Sequence, residues 1–554
     1  MTTHVTPPAG PALDAPAVDY ARGAPGEVLS TGVRAPAVVA LVAVMLVATS
    51  VFWAFEALPF QDLPAHAGLI AMRHRFESSP FEQRFYVLAP HIGPYSLFRF
   101  LGEMFVRVIG PIPAVRALGT LPIIATPLAL LFARRRLYAD SSPTYGYLGV
   151  ALSFGIMTLL GFASYLLGVA VMLVGVTLWL DLLTDVDDRT DPRALRNREL
   201  LMAAFAPMIF VAHGHAFLIF LLCAGVSTLV TGRRWARILR LRALLPALLL
   251  AGWVAWIERG STTPAGSVPR IPSLIPRFQG IGDKLGLLMS PTLMTRTGID
   301  FFVSFLLLAF TLACTVVTVR SLGRGAGVGA LAPRDVRHSR ALYTCAAVIA
   351  AMFVVLPHAV GWFGFVDGRL VPVALFLALL GIRRAALPRP VALGLQYGAP
   401  VAASTVTVLA LVASYRFQEE ARGYKEVLAR VPAESRLLNL PIDPNSDVFT
   451  AHPFIHYDKL ILVERPIVVS DIWFHQGSAL YPTPANPVLR LPDTYSESNL
   501  KIIDWPAYHL EDWDFVLIRT RPNAAQPHTP GGLELLDHRG GWWLFRHGTA
   551  SAGS

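Results

Sequence analysis

Residues 36–55 read PAVVALVAVMLVATSVFWAF, and residues 55–66 continue FEALPFQDLPAH. The first string carries no charged residue. It is about 20 residues long, which spans a hydrocarbon core at about 1.5 Å per residue. It has no small-residue cleavage signature at its end, so it reads as an uncleaved signal-anchor helix. The second string leaves that helix through Phe52, Trp53 and Phe55, the aromatic residues favoured where a helix exits a bilayer. It then reaches Asp62 and His66 within a few residues.

The rest of the chain repeats the first string's character. Of 554 residues, 54% are hydrophobic and 15% charged, and the mean hydropathy is +0.51. Soluble domains carry roughly a quarter charged residues, so this composition excludes a soluble globular enzyme. Further apolar runs lie near 113–133, 144–161, 163–183, 199–213, 216–232, 243–257, 300–319, 341–359, 370–387 and 391–414. The fold class expected is a polytopic α-helical membrane protein of about eleven transmembrane helices, followed by a C-terminal extracytoplasmic α/β domain.

Arginine sets the orientation. Short loops at 134–136, 189–198, 233–242, 320–340 and 383–389 hold clusters of it, and short arginine-dense loops stay cytoplasmic. The expected topology is N-in and C-out in the inner membrane of a bacterium, with a multi-pass domain over 36–414. Residues 1–35, rich in Pro, Ala and Gly, read as a disordered cytoplasmic tail. Outer loops fall at about 56–112 and 258–298, and residues 415–554 form the periplasmic domain. In that domain 419–431 has helical spacing, and 437–440, 459–463, 467–469, 515–518 and 542–545 read as short strands.

The net charge of +10 divides along the same line. Residues 415–554 hold 13 basic and 17 acidic side chains, and the remainder holds 34 and 20. The basic excess is mostly a topology signal, which removes nucleic acid as an expected partner. Cys223, Cys314 and Cys345 all lie in apolar runs, so no disulfide framework or thiolate zinc site is expected.

Chemistry is expected in the first outer loop. Helical spacing puts Asp62, His66 and Arg73 on one face at the membrane surface. The same spacing fits a structural reading, in which Asp62 is an N-cap ahead of Pro64 and the other two side chains are solvated. His91 lies further along the loop, His213-Gly214-His215 lies where two membrane helices turn, and His358 ends a later helix. Polar residues at membrane depth usually face a cavity or a partner. No pair of these histidines has the spacing of a tetrahedral metal site.

Asp62-Leu63-Pro64-Ala65-His66 resembles the Asp-Glu-x-x-His opening of GT-C superfamily membrane glycosyltransferases, such as the protein O-mannosyltransferases and the aminoarabinose transferase of lipid A. Val115-Arg116-Ala117-Leu118, leading into Arg134-Arg135-Arg136, is similar to the superfamily's second helix. Gly368-Arg369-Leu370-Val371-Pro372 is similar to its Arg-Tyr-x-x-Pro element. The resemblance implies inverting transfer of a sugar from a polyprenyl-phosphate donor to a lipid, glycan or protein acceptor at the periplasmic face, among membrane lipids. It carries the general base to Asp62. The leaving phosphate calls for a cation, and Arg369 is the first choice, because its planar fork can hold two phosphate oxygens. Arg259, with Arg270, Arg277 and Lys284, is a weaker candidate. His66, His91, His213 and His215 are candidate sugar or phosphate contacts, and Glu56 a candidate second carboxylate. A divalent metal is a candidate cofactor, with Leu63 standing where the pattern's second acid would be. The alternative expectation is a non-catalytic scaffold or a transporter for surface polysaccharide.

Overall fold

The computed structural model describes residues 35–88, 92–185, 191–231, 235–260, 275–292, 294–324, 332–361, 363–472, 480–492, 494–500 and 503–548. The expected disordered tail lies outside them up to residue 34. The chain is mainly helical, as its composition requires. Among the described residues, seven helices are long and apolar enough to cross a membrane: Ala35–Phe52, Pro111–Tyr138, Ala163–Thr184, Leu239–Ile257, Ile299–Leu322, Pro333–Val355 and Arg389–Ala421. Gly214–Val230 and Leu370–Gly381 are shorter apolar helices. Pro192–Ala212 is helical too, with charged residues in its first turns.

Burial distinguishes the central helix from the peripheral ones. The apolar window of Ala163–Thr184 is 83% buried, whereas that of Leu239–Ile257 is 22% buried. The central helix packs against Pro111–Tyr138, Pro192–Ala212 and Gly214–Val230. Its Trp179 is fully buried and donates its indole N–H to the Ala224 carbonyl at 3.1 Å. Such a bond secures a buried polar group that lipid could not satisfy.

The expected run 144–161 is not one helix. Thr144–Leu152 ends, and Ile156–Leu159 follows as a single turn. Gly155 marks the break, because a side chain there would stand 2.4 Å from the Pro291 carbonyl oxygen. The close approach of a second backbone ends the helix.

The C-terminal domain is built on a five-stranded mixed sheet. Its order is Val468–Val469, Arg436–Pro441, Phe515–Arg519, Trp542–His547, Leu533–Arg539. The first three strands are parallel, and the last two add antiparallel. Phe515–Arg519 is buried along its whole length, as a strand covered on both faces must be. Two expectations fail here. Residues 459–463, read as a strand, belong to the helical turns Pro453–Leu460 and Ile461–Glu464. Residues 419–431 are not a single helix, since Arg389–Ala421 stops and Tyr424–Leu428 begins after Gly423, whose φ of +88° suits glycine.

The first loop and the tail are joined. Tyr86–Leu88 pairs antiparallel with Leu480–Pro482. The Leu63–Arg75 helix packs on the tail's 453–464 turns. At Gly68 on that helix, a side chain would meet Leu462 Cδ1 at 2.8 Å and the Lys459 carbonyl oxygen at 3.0 Å. The absence of a side chain at residue 68 lets the tail lie against the start of the first loop.

Candidate active site

Asp62 sits at the N-cap of Leu63–Arg75 with Pro64 in the first turn, as the spacing predicts, but its carboxylate makes no capping hydrogen bond. The backbone is fixed from another direction. Asp62 N–H donates to the Leu160 carbonyl at 3.2 Å, and Gln61 N–H to that of Leu159 at 3.0 Å. This contact depends on Gly161: its φ is +78°, and a side chain there would stand 2.6 Å from Asp62 N. The carboxylate is left free to turn inward. It accepts a hydrogen bond from Gln61 Nε2 at 3.4 Å and faces His456 Nε2 at 3.7 Å. Burial pushes its pKa up to about 6, partly offset by the charge of His456, the Gln61 bond and the charge of Arg369. The carboxylate is mostly shielded from solvent, caps nothing, and lies near His456 and Arg369.

The partner of Asp62 comes from the tail, which sequence reasoning missed. His456 lies where the Pro453–Leu460 turns kink, with φ −114° and ψ 21°. Its Nδ1 is 3.2 Å from Glu497 Oε2. Both Glu497 oxygens accept from Lys459 Nζ at 2.6 Å, and Lys459 also holds Asp458 at 2.8 Å. Lys459, Asp458 and Glu497 are all fully or nearly fully buried. Asn439 Nδ2 donates to Asp458 at 2.9 Å, and Ser470 Oγ to Glu497 at 3.1 Å. A network satisfied in this way can hold buried charges in one geometry. The available signal was His456-Tyr457-Asp458-Lys459 lying between Phe454-Ile455 and Leu460-Ile461-Leu462-Val463, a charged group inside an apolar stretch.

Arg369 is the N-cap residue of Leu370–Gly381 and is buried. Its guanidinium lies over the rings of Phe363 (4.2 Å), Phe162 (4.5 Å) and Tyr165 (5.6 Å). Its Nε and Nη1 have no hydrogen-bond partner among the described residues. Tyr165 donates its hydroxyl to the Arg369 carbonyl, and the Tyr95 hydroxyl lies against the guanidinium. Tyr95 has φ +71° and Phe365 has φ +55°. Left-handed backbone at two bulky aromatics is strain, which tends to concentrate at functional sites. The loop before Arg369 is held by Asp367, which binds Lys284 Nζ at 2.8 Å, His358 Nδ1 at 2.9 Å and the Gly368 N–H at 2.7 Å.

The histidine pair completes the cage. His213 stacks edge-on to Tyr95 and Tyr165, with ring centroids 4.7 and 5.3 Å away, and His215 lies 6.0 Å from Tyr165 and 6.1 Å from Phe363. His213 Nδ1 accepts the His215 N–H at 3.2 Å, which leaves Nε2 to carry the ring proton of the neutral form.

Of the other expected residues, His66 stays near His456, and the rest lie elsewhere. His66 packs on Phe98 with ring centroids 4.9 Å apart, and burial, with the charge of His456, lowers its pKa to about 4. Arg73 shares that helix but pairs with Glu103 at 2.5 Å. Glu56 is exposed and pairs with Lys425. It lines a separate open groove with Leu63, Arg116, Tyr424 and Ile461, so it is not a second carboxylate beside Asp62. Lys284 is bound by Asp367 and by the carbonyls of Phe353 and Leu356, so it is not free for an anion, whereas Arg277 is exposed and donates one hydrogen bond, to Gly361 O at 3.2 Å. His91, Arg270 and the side chain of Arg259 lie outside the described residues. Among the described residues, no group of three or more His, Cys, Asp or Glu side chains could hold a metal ion. The described residues therefore offer the candidate divalent metal no such ligand set.

No family model and no curated protein matches the chain in sequence. Among solved structures it is similar to the arabinofuranosyltransferase AftD from Mycobacteria, with 16% identity, 94% of this chain and 40% of that chain covered, and a TM-score of 0.48. The chain thus spans less than half of AftD. ArnT from Cupriavidus metallidurans is similar at 14% identity over 93% of this chain and 99% of that one, with a TM-score of 0.43. The Archaeoglobus fulgidus oligosaccharyltransferase is similar at 11% identity, 87% and 69% coverage, and a TM-score of 0.45. Each of these is a likeness in the overall path of the chain.

Proposed function

We propose that the chain is an integral membrane glycosyltransferase of the GT-C type, moving a sugar from a polyprenyl-phosphate donor to an acceptor at the periplasmic face with inversion. One observation carries the reading. The partly exposed carboxylate of Asp62 caps nothing and feels the charge of Arg369, a buried arginine whose Nε and Nη1 are unpartnered among the described residues. In the reaction, the acceptor hydroxyl oxygen attacks the anomeric carbon and gives its proton to Asp62. The bond from the anomeric carbon to the phosphate oxygen breaks, and its electron pair leaves on the lipid phosphate. Arg369 meets that growing charge, with the aromatic cage excluding water and so strengthening the attraction. His213 and His215 are then donors to the phosphate or sugar. The membrane domain, residues 36–414, supplies Asp62 and Arg369, and residues 415–554 form the periplasmic domain of an inner-membrane protein.

The test uses the polyprenyl-phosphate-linked sugar that accumulates in cells lacking the chain. Membranes carrying the wild-type chain consume it, and membranes carrying Asp62→Asn do not. Consumption by Asp62→Asn at the wild-type rate would falsify the assignment.

A further inference from the structure

Asp62 is approached by a charge from a different part of the chain. His456 reaches it from the tail, and the imidazole is held between two carboxylates, with Nε2 3.7 Å from Asp62 Oδ1 and Nδ1 3.2 Å from Glu497 Oε2. Beyond Glu497 the signs keep alternating, through Lys459 to Asp458. His456, Glu497, Lys459 and Asp458 are nearly or completely buried and the Asp62 side chain is 16% exposed, so opposite charges act strongly on one another along this row. An imidazole between two carboxylates is favoured in its protonated form. A cation facing Asp62 in turn favours the carboxylate, the form a general base must have, and works against burial, which favours the acid.

We propose that His456, oriented by Glu497, is a positioning residue that keeps Asp62 ionised, so that the C-terminal domain completes a base belonging to the first loop. This rests on the reading of Asp62 as the base. The balance of neighbours supports it. Asp62 also feels Gln61 and Arg369, which lower its pKa, and Asp471, which raises it. His456 feels Glu497 and Asp62, which raise its pKa, against burial and Lys459, and the net direction is upward. His66, the other imidazole nearby, is held neutral by burial and by His456 itself. Asp62 therefore faces two cations and one anion, and His456 is the cation in ion-pair range.

The experiment reads Asp62 directly and needs no sugar donor. Infrared difference spectra between pH 4 and pH 9 would be recorded on the full chain in lipid nanodiscs, as wild type, Asp62→Asn, His456→Gln and His456→Lys. The carboxyl band missing from Asp62→Asn belongs to Asp62. Its midpoint is expected to rise by about one pH unit or more in His456→Gln and to return towards wild type in His456→Lys, which restores a cation. An unmoved or lowered midpoint in His456→Gln overturns the proposal, as does an equal rise in both variants. Nitrogen-15 spectra of the wild-type chain labelled at histidine give an answer without any variant. An imidazole that stays doubly protonated above the ordinary histidine range of about 6.5, and is lost in His456→Gln, is expected; a His456 that titrates at or below that range overturns the proposal. If Asp62→Asn keeps transfer activity, the base assignment fails whatever the spectra show. If that variant is inactive and the midpoint does not move, only the role of His456 fails.

Discussion

The two ends of the membrane helices treat arginine in opposite ways. At the end bearing the arginine-rich loops, carboxylates answer the guanidinium groups. Asp181, 3% exposed, binds Arg136 and Arg334 at 2.6 Å and Arg198 at 3.3 Å. Glu199 binds Arg240 and Arg242, Asp140 binds Arg134, and Asp335 binds Arg383. At the other end, Arg369 is surrounded by aromatic rings and leaves two nitrogens unpartnered among the described residues. The first arrangement pairs each of these guanidinium groups with a carboxylate, although Arg240, Arg334 and Arg383 each keep an unpartnered Nε among the described residues. The second leaves a buried cation that has ring faces but no carboxylate within hydrogen-bond range among the described residues. The difference separates arginines of the +10 that sit against carboxylates from one that sits against aromatic rings.

Substitutions at the two ends can break this contrast. The largest effect is expected at Asp62, where Asn should slow transfer by about 10²–10⁴-fold, the range for losing a general base. Arg369→Gln should cost about 10²–10³-fold in kcat, while Arg334→Gln leaves turnover per folded molecule unchanged. The pH profile sharpens the same point. Burial raises the pKa of Asp62 to about 6, so the base is lost to protonation as the pH falls through 6. The acid limb of kcat/KM should lie there rather than near ~4, where an ordinary carboxylate titrates. Asp181→Asn should act on stability instead, leaving three guanidinium groups without their carboxylate at a cost of about 1–3 kcal/mol, read as a lower Tm with turnover per folded molecule preserved.

The membrane half was largely legible because lipid imposes a length and a polarity on every spanning helix. The runs at 113–133, 163–183, 300–319 and 391–414 correspond to Pro111–Tyr138, Ala163–Asp185, Ile299–Arg324 and Arg389–Ala421. The break in 144–161 was not legible, since its cause is the Pro291 backbone against Gly155, a contact distant in sequence. In the tail, Leu533–Arg539 escaped notice because it is a largely exposed edge strand, Leu-Glu-Leu-Leu-Asp-His-Arg, whose alternation is broken by a bulge between Leu535 and Asp537.

The site divides in the same manner. Asp62 and Arg369 stand at helix starts, where local spacing points to them. His456 and Glu497 do not, because their meeting with Asp62 depends on how the tail packs at Gly68. Glu56 was misjudged for the converse reason: it is near Asp62 in sequence, but its side chain turns to Lys425 on the surface.

The most direct measurement is single-turnover release of free polyprenyl phosphate from the lipid-linked sugar at pH 7.5. It would compare the wild type, Asp62→Asn, Arg369→Gln and Arg334→Gln in nanodiscs. The account predicts release by the wild type and Arg334→Gln and near-complete loss in the other two. Release by Asp62→Asn or Arg369→Gln at the wild-type rate would contradict it.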